Sequence, residues 1–221
     1  MFGVPVEKNG QNADLRVKGK IAELALGYGG GTNALVRMGA LESGLKEDEL
    51  SSLVEMWRSS NAQIVEFGRR CSSAAMGTIR NSSYIELDNI SFWKPENVLL
   101  VKLPSGRSLS YRNPYIINDV NGYKNIIYDG ADSKKVKDTK TYGAKLVENI
   151  VQGISRDILA YALQNLSNYL VVAHVHDEVI VEVPEDTPVN TITDIMEQTP
   201  PWIEGLPLKA EGYECQYYQK Q

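Results

Sequence analysis

Between Tyr169 and Val183 the chain reads Tyr-Leu-Val-Val-Ala-His-Val-His-Asp-Glu-Val-Ile-Val-Glu-Val. Two runs rich in β-branched residues flank His176, Asp177 and Glu178. Such runs favour strands, so this segment is expected to form two strands with the polar triplet at or near the turn. Charge on a half-buried strand pair is costly unless it is partnered. One explanation is a solvated hairpin turn, which suits Asp. The other is a rigid tip that holds a carboxylate toward a metal ion. Hard cations such as Mg²⁺ take oxygen ligands, often one or two carboxylates plus substrate phosphates. A lone Asp cannot build a two-metal site, so the second explanation needs partners elsewhere.

A second constellation lies near the start. Residues 14–28 read as a helix, with Asp14 as N-cap and Val17, Ile21, Leu24, Ala25 and Tyr28 at helical spacing. Arg16, Lys20, Leu24 and Tyr28 are spaced by four and so lie along one slowly drifting face. Two cations can hold a triphosphate, and a ring beside glycines can sit against a base pair. The competing explanation leaves Arg16 and Lys20 in solvent and packs Tyr28 in the core. The run Gly27-Tyr28-Gly29-Gly30-Gly31 follows a helix, not a strand, and lacks dinucleotide-binding spacing.

The rest of the chain supplies a frame. A short helix is expected from Asn33. A long helical segment is expected over 46–77, with Leu50, Leu53, Val54, Trp57 and Ile64 as its stripe and Asn61 as an interruption. Two short apolar runs around Pro104-Ser105-Gly106-Arg107 predict a β-hairpin. Residues 129–140, rich in Asp, Lys and Ser, read as a solvated loop. Residues 142–166 read as a helix whose apolar face is Leu146, Ile150, Val151, Ile154, Ile158, Leu159, Ala162 and Leu166. Lys145, Glu148, Gln152 and Arg156 make its polar stripe. A helix over 189–198 and a strand over 208–218 complete the expectation.

The net charge of −5 weighs against simple electrostatic wrapping of nucleic acid, although a local basic groove is compatible with it. Cys71 and Cys215 belong to no CxxC pair and read as reduced thiols. No apolar run is long enough to cross a bilayer, and the start has no signal-peptide pattern. A cytoplasmic location, in a bacterial or phage-infected host, is the expectation.

Taken together and in this order, the two constellations resemble family A DNA polymerases, the class of bacterial DNA polymerase I and many phage replicative enzymes. The family's motif B is similar to Arg16, Lys20, Leu24 and Tyr28-Gly29. Its motif C is similar to Val175-His176-Asp177-Glu178-Val179. The polar stripe with Gln152-Gly153 resembles the family's helix along the template-primer minor groove. Leu103-Pro-Ser-Gly-Arg107 and Tyr142–Asn149 resemble phage-type members.

The resemblance implies an α+β chain. Helical fingers with a β-hairpin insert would span 1–128. A palm subdomain, an antiparallel sheet with packed helices, would span 129–221. The right-hand fold would be incomplete, without a thumb. Arg16 and Lys20 would hold the nucleotide's phosphates, with Lys20 also protonating pyrophosphate. Leu24 and Tyr28 would line the nucleotide pocket. Gln152, Arg156, His176 and Gly29 would contact DNA. Asp177 would bind two catalytic Mg²⁺ ions, with Glu178 in support. Partners would be primer-template DNA, deoxynucleoside triphosphates and an upstream polymerase segment, with no membrane.

Two departures accompany the resemblance. Leu24 stands where many bacterial members have Phe. No Asp-Tyr-Ser-like motif A precedes Arg16, so the chain reads as a fragment, inactive alone. The alternatives are a DNA-binding or complementing subunit of a split polymerase, and a single-subunit RNA polymerase. The latter's motif has Ser at the place of Glu178.

Overall fold

A computed structural model describes residues 4–7, 10–120, 122–132 and 135–218, with side chains described outside 131–137. The chain divides into two compact units. One comprises residues 1–100 and 110–149, the other 101–109 and 150–221.

The first unit opens with helices. α1 (Ala13–Leu26), α2 (Thr32–Arg37) and α3 (Leu50–Ser60) bury Ile21, Ala22, Ala25, Leu26, Leu35, Leu50, Leu53, Val54 and Trp57 in one cluster. Each large apolar side chain so buried contributes about 1.5–3 kcal/mol. The N-cap of α1 is Asn12, not Asp14, which lies inside the first turn. The buried face also departs from the expected stripe: Val17, Leu24 and Tyr28 are exposed. Ala22 and Leu26, one turn apart, complete the core face instead.

The long segment expected over 46–77 is two helices. A 3₁₀ turn (Glu47–Glu49) leads into α3, and α4 (Ala62–Asn81) follows a break at Asn61. Asn61 has φ −119° and ψ 37°, outside the helical region, and its side chain donates to the Trp57 carbonyl at 2.9 Å. Local bonding of this kind is why Asn competes with helix continuation. The break turns Ile64 out of the core; it is exposed.

The expected hairpin is part of a six-stranded sheet of sequential order β1-β2-β3-β4-β5-β6. Its strands are β1 (Ile85–Leu87), β2 (Ile90–Trp93), β3 (Val98–Lys102), β4 (Ser108–Asn118), β5 (Lys124–Asp132) and β6 (Lys135–Thr141). β1 and β2, β4 and β5, and β5 and β6 pair antiparallel. The reading of 129–140 as a loop is thereby corrected. β5 and β6 pair continuously from Ile126–Thr141 to Asp132–Lys135, and backbone pairing overrides the polar composition. α4 packs on β1 and β2.

Cys71 of α4 is fully buried, and burial pushes its thiol up to about 12; Cys215 is exposed. The thiolate is the reactive form. A neutral thiol reagent at pH 8 is therefore expected to label one cysteine per native chain, and both after denaturation, counted by intact mass.

α5 (Gly143–Asn165) runs from the first unit into the second. Its apolar residues do not make one face. The first half buries Leu146 and Ile150, and the second buries Leu159, Ala162 and Leu166. At 100° per residue these lie on roughly opposite sides of the helix. Val151, between them, is exposed.

The second unit continues with β7 (Leu170–Val175) and β8 (Glu178–Glu182), a two-stranded antiparallel sheet, then α6 (Val189–Met196). The strand expected over 208–218 does not form. Side chains tether that segment instead: Glu197 accepts from Lys209 Nζ at 2.8 Å and from the Ala210 N–H at 3.1 Å.

Candidate functional site

The residues singled out on α1 form an open stripe. Arg16, Lys20, Leu24 and Tyr28 are all exposed, with Leu24 at 43% and Tyr28 at 42%. Tyr28 is therefore not a core residue. The side chains of Arg16 and Lys20 form no hydrogen bond or ion pair with any described residue. The same helix buries its other side, so the stripe is held on a fixed support.

The glycines explain how Tyr28 is presented. The Gly29 N–H donates to the Leu26 carbonyl at 2.8 Å, and the Gly30 N–H donates to that of Ala25 at 3.2 Å. With Gly29 at φ +74°, these bonds make a Schellman cap. A Cβ on Gly29 would lie 2.5 Å from that of Ala144 at the start of α5. The Tyr142 hydroxyl donates to the Tyr28 carbonyl at 3.4 Å. Tyr28 thus projects from a tightly closed helix end whose backbone is braced on α5.

A cleft of about 700 Å³ borders the same helix, lined in part by Val4, Pro5, Arg16, Glu23, Trp57 and Asn61. The Trp57 indole donates to Glu23 at 2.9 Å on its wall. Sequence periodicity did not indicate this cleft, because Glu23 reads as an ordinary solvated residue.

On α5, Gln152 and Arg156 are exposed, one turn apart, while Lys145 is paired to Glu148 at 2.7 Å. This pairing, by hydrogen bond first, raises the Lys145 pKa above its ordinary value. Two of the four polar-stripe residues are therefore engaged with each other.

In the second unit His176 and Asp177 form the two-residue turn between β7 and β8. His176 has φ +52°, as the first central position of a primed hairpin turn requires. Both residues are exposed. Glu178, the first residue of β8, accepts a hydrogen bond from the Tyr218 hydroxyl at 3.0 Å. That contact was not legible in the sequence, since forty residues separate the pair. Among the described residues no group of three or more His, Cys, Asp or Glu is placed to hold a metal ion. Asp177 and Glu178 do not by themselves make a two-Mg²⁺ centre. The stripe on α1 and the hairpin fall in different units.

No helix among the described residues is long and apolar enough to cross a membrane. No family model matches the chain, and no solved structure matches it. The chain is 43% identical over 226 aligned residues to a DNA polymerase of Bacillus phage SP02. The alignment covers all of this chain and 35% of the relative, so the chain spans about a third of that protein's length. Throughout its length, the chain is similar to a segment of a phage DNA polymerase.

Proposed function

We propose that this chain is the fingers-and-palm portion of a family A DNA polymerase. It would take part in adding deoxynucleotides to a primer 3′ end on a template. The carrying observation is the exposed stripe on α1, where two cations, unpaired among the described residues, precede an aliphatic residue and a tyrosine at a glycine-capped helix end. The similarity to a phage DNA polymerase supports the same reading.

In this reading Arg16 and Lys20 bind the triphosphate, and Leu24, Tyr28 and Gly29 border the nascent base pair. Gln152, Arg156 and His176 lie along the primer-template. The primer 3′-hydroxyl attacks the α-phosphate in line, and Lys20 Nζ gives a proton to the departing pyrophosphate. Such phosphoryl transfer is largely positioning and charge stabilisation. Two Mg²⁺ ions stabilise the attacking and leaving oxygens in reactions of this class. Asp177 would supply one carboxylate ligand to such ions, with Glu178 in support.

Primer extension with Mg²⁺ and four deoxynucleotides tests the proposal. The chain would be assayed alone, as Asp177→Asn, and mixed with the rest of the SP02 phage polymerase as a separate polypeptide. Silence alone, extension on mixing and loss in the variant are expected. If mixtures never extend while labelled primer-template still binds, the chain is a DNA-binding module. If Asp177→Asn leaves extension intact, the role given to the hairpin is wrong.

A further inference from the structure

The turn between β3 and β4 reaches α5 through a set of bonds that sequence spacing did not reveal. Arg107 Nε donates to Asp157 Oδ1 at 2.6 Å, and Arg107 Nη2 donates to the Gly153 carbonyl at 2.9 Å. The Ser105 hydroxyl donates to Asp157 Oδ2 at 2.5 Å. Both carboxylate oxygens are thus satisfied by one turn, and the Asp157 side chain is only 10% exposed. The turn is itself closed: the Leu103 N–H donates to the Arg107 carbonyl at 2.7 Å, and Gly106 takes φ +89°.

Gly153 is what lets the turn come so close. A Cβ there would lie 2.8 Å from Leu103 Cδ1 and 3.2 Å from Arg107 Nη2. Glycine in a helix interior is ordinarily a liability. Here the missing Cβ opens a seat for the turn, and the guanidinium can reach the Gly153 carbonyl. The seat residues alternate with the exposed ones: Gly153 follows Gln152, and Asp157 follows Arg156. Around the helix each seat residue is roughly 100° from its exposed neighbour. The brace therefore fixes the rotation of the face that carries Gln152 and Arg156.

The geometry points to Arg107, Asp157 and Gly153 as positioning residues that set the orientation of Gln152 and Arg156 toward a nucleic-acid duplex. This rests on the reading of α5 as a primer-template contact. A guanidinium fork gripping a carboxylate and a carbonyl is geometrically specific in a way that a point charge is not. The ligand class is double-stranded nucleic acid, met at its backbone or minor groove by one amide and one cation.

The test is anisotropy of a fluorescent primer-template duplex with the chain and four variants. Arg107→Ala and Gly153→Ala are each expected to weaken binding about tenfold. Gly153→Ala removes no charge and favours the helix but crowds Leu103, so thermal melting of the variant separates a loss of positioning from a loss of folding. Gln152→Ala/Arg156→Ala should weaken binding too. Adding Arg107→Ala to that pair should then cost nothing more, because a residue acting through Gln152 and Arg156 has nothing left to act on. A further equal loss in the triple variant would mean that Arg107 touches the duplex itself and would overturn the inference. Wild-type affinity in both Arg107→Ala and Gly153→Ala would overturn it as well. If instead the wild-type chain fails to bind, or Gln152→Ala/Arg156→Ala binds normally, it is the parent reading of α5 that fails.

Discussion

Lys20→Ala is expected to slow nucleotide incorporation by about 10²–10⁴-fold, the range a positioned proton donor contributes. The assay would combine this chain with the rest of the SP02 phage polymerase under single-turnover conditions. Lys20 is exposed and unpaired among the described residues, so its removal leaves no buried group unsatisfied. Surface changes of this kind usually shift stability by less than about 0.5 kcal/mol. The loss would then be a loss of function at one amine. Arg16, one turn earlier, offers the comparison. In the proposed reading Arg16 clamps phosphate and has no proton role, so Arg16→Ala should act mainly on the apparent nucleotide affinity. Lys20→Ala should act mainly on the maximal rate. If both variants change affinity alone, Lys20 only binds, because uniform binding alters KM and not kcat. If Lys20→Ala changes neither by more than about twofold, far below a general-acid contribution, the assignment on α1 is wrong.

Gly143→Ala is expected to destabilise the first unit by about 3 kcal/mol or more, at the upper end of overpacking effects. A Cβ on Gly143 would collide with the Gly68 carbonyl oxygen of α4 and lie 2.8 Å from the Gly68 carbonyl carbon. Those are backbone atoms and cannot swing aside as a side chain would. The reciprocal change is expected to be mild. A Cβ on Gly68 would meet the Gly143 carbonyl carbon and the Ala144 nitrogen at 3.6 Å, an ordinary contact. Two glycines that face each other across one seam should thus respond oppositely. Urea unfolding of both variants measures the difference, and equal destabilisation would show that the seam is not as described.

Much of the local structure was legible, and particular residues show why. α1, α2, α6 and the β7–β8 hairpin follow from residue patterns within single segments, although the cap of α1 is Asn12 and not the expected Asp14. The turn at His176-Asp177 could be placed because flanking β-branched runs leave few other choices. The role of the α1 stripe could be framed but not decided. Val17, Leu24 and Tyr28 have the same spacing whether they face a core or solvent. Only the packing of α2 and α3 on the Ala22–Leu26 side settles which. β5 and β6 were missed because their stability comes from pairing with each other, which composition does not record. The same holds for the candidate site. Asp157 meets Arg107 fifty residues away, and Tyr218 meets Glu178 at similar remove. No local pattern announces such partners.

The β7–β8 hairpin has one more consequence. Its strands pair with each other alone among the described strands, and neither strand has a fully buried residue. An isolated pair of strands is marginally stable at best in water. The carboxylate of Asp177 is therefore mounted on a piece of chain with little conformational free energy of its own. Any ligand or segment that binds only the ordered hairpin stabilises it by an amount that grows with the logarithm of its concentration once that exceeds its dissociation constant. Ordering of the tip and binding of any ligand that touches it are then linked, so that each favours the other.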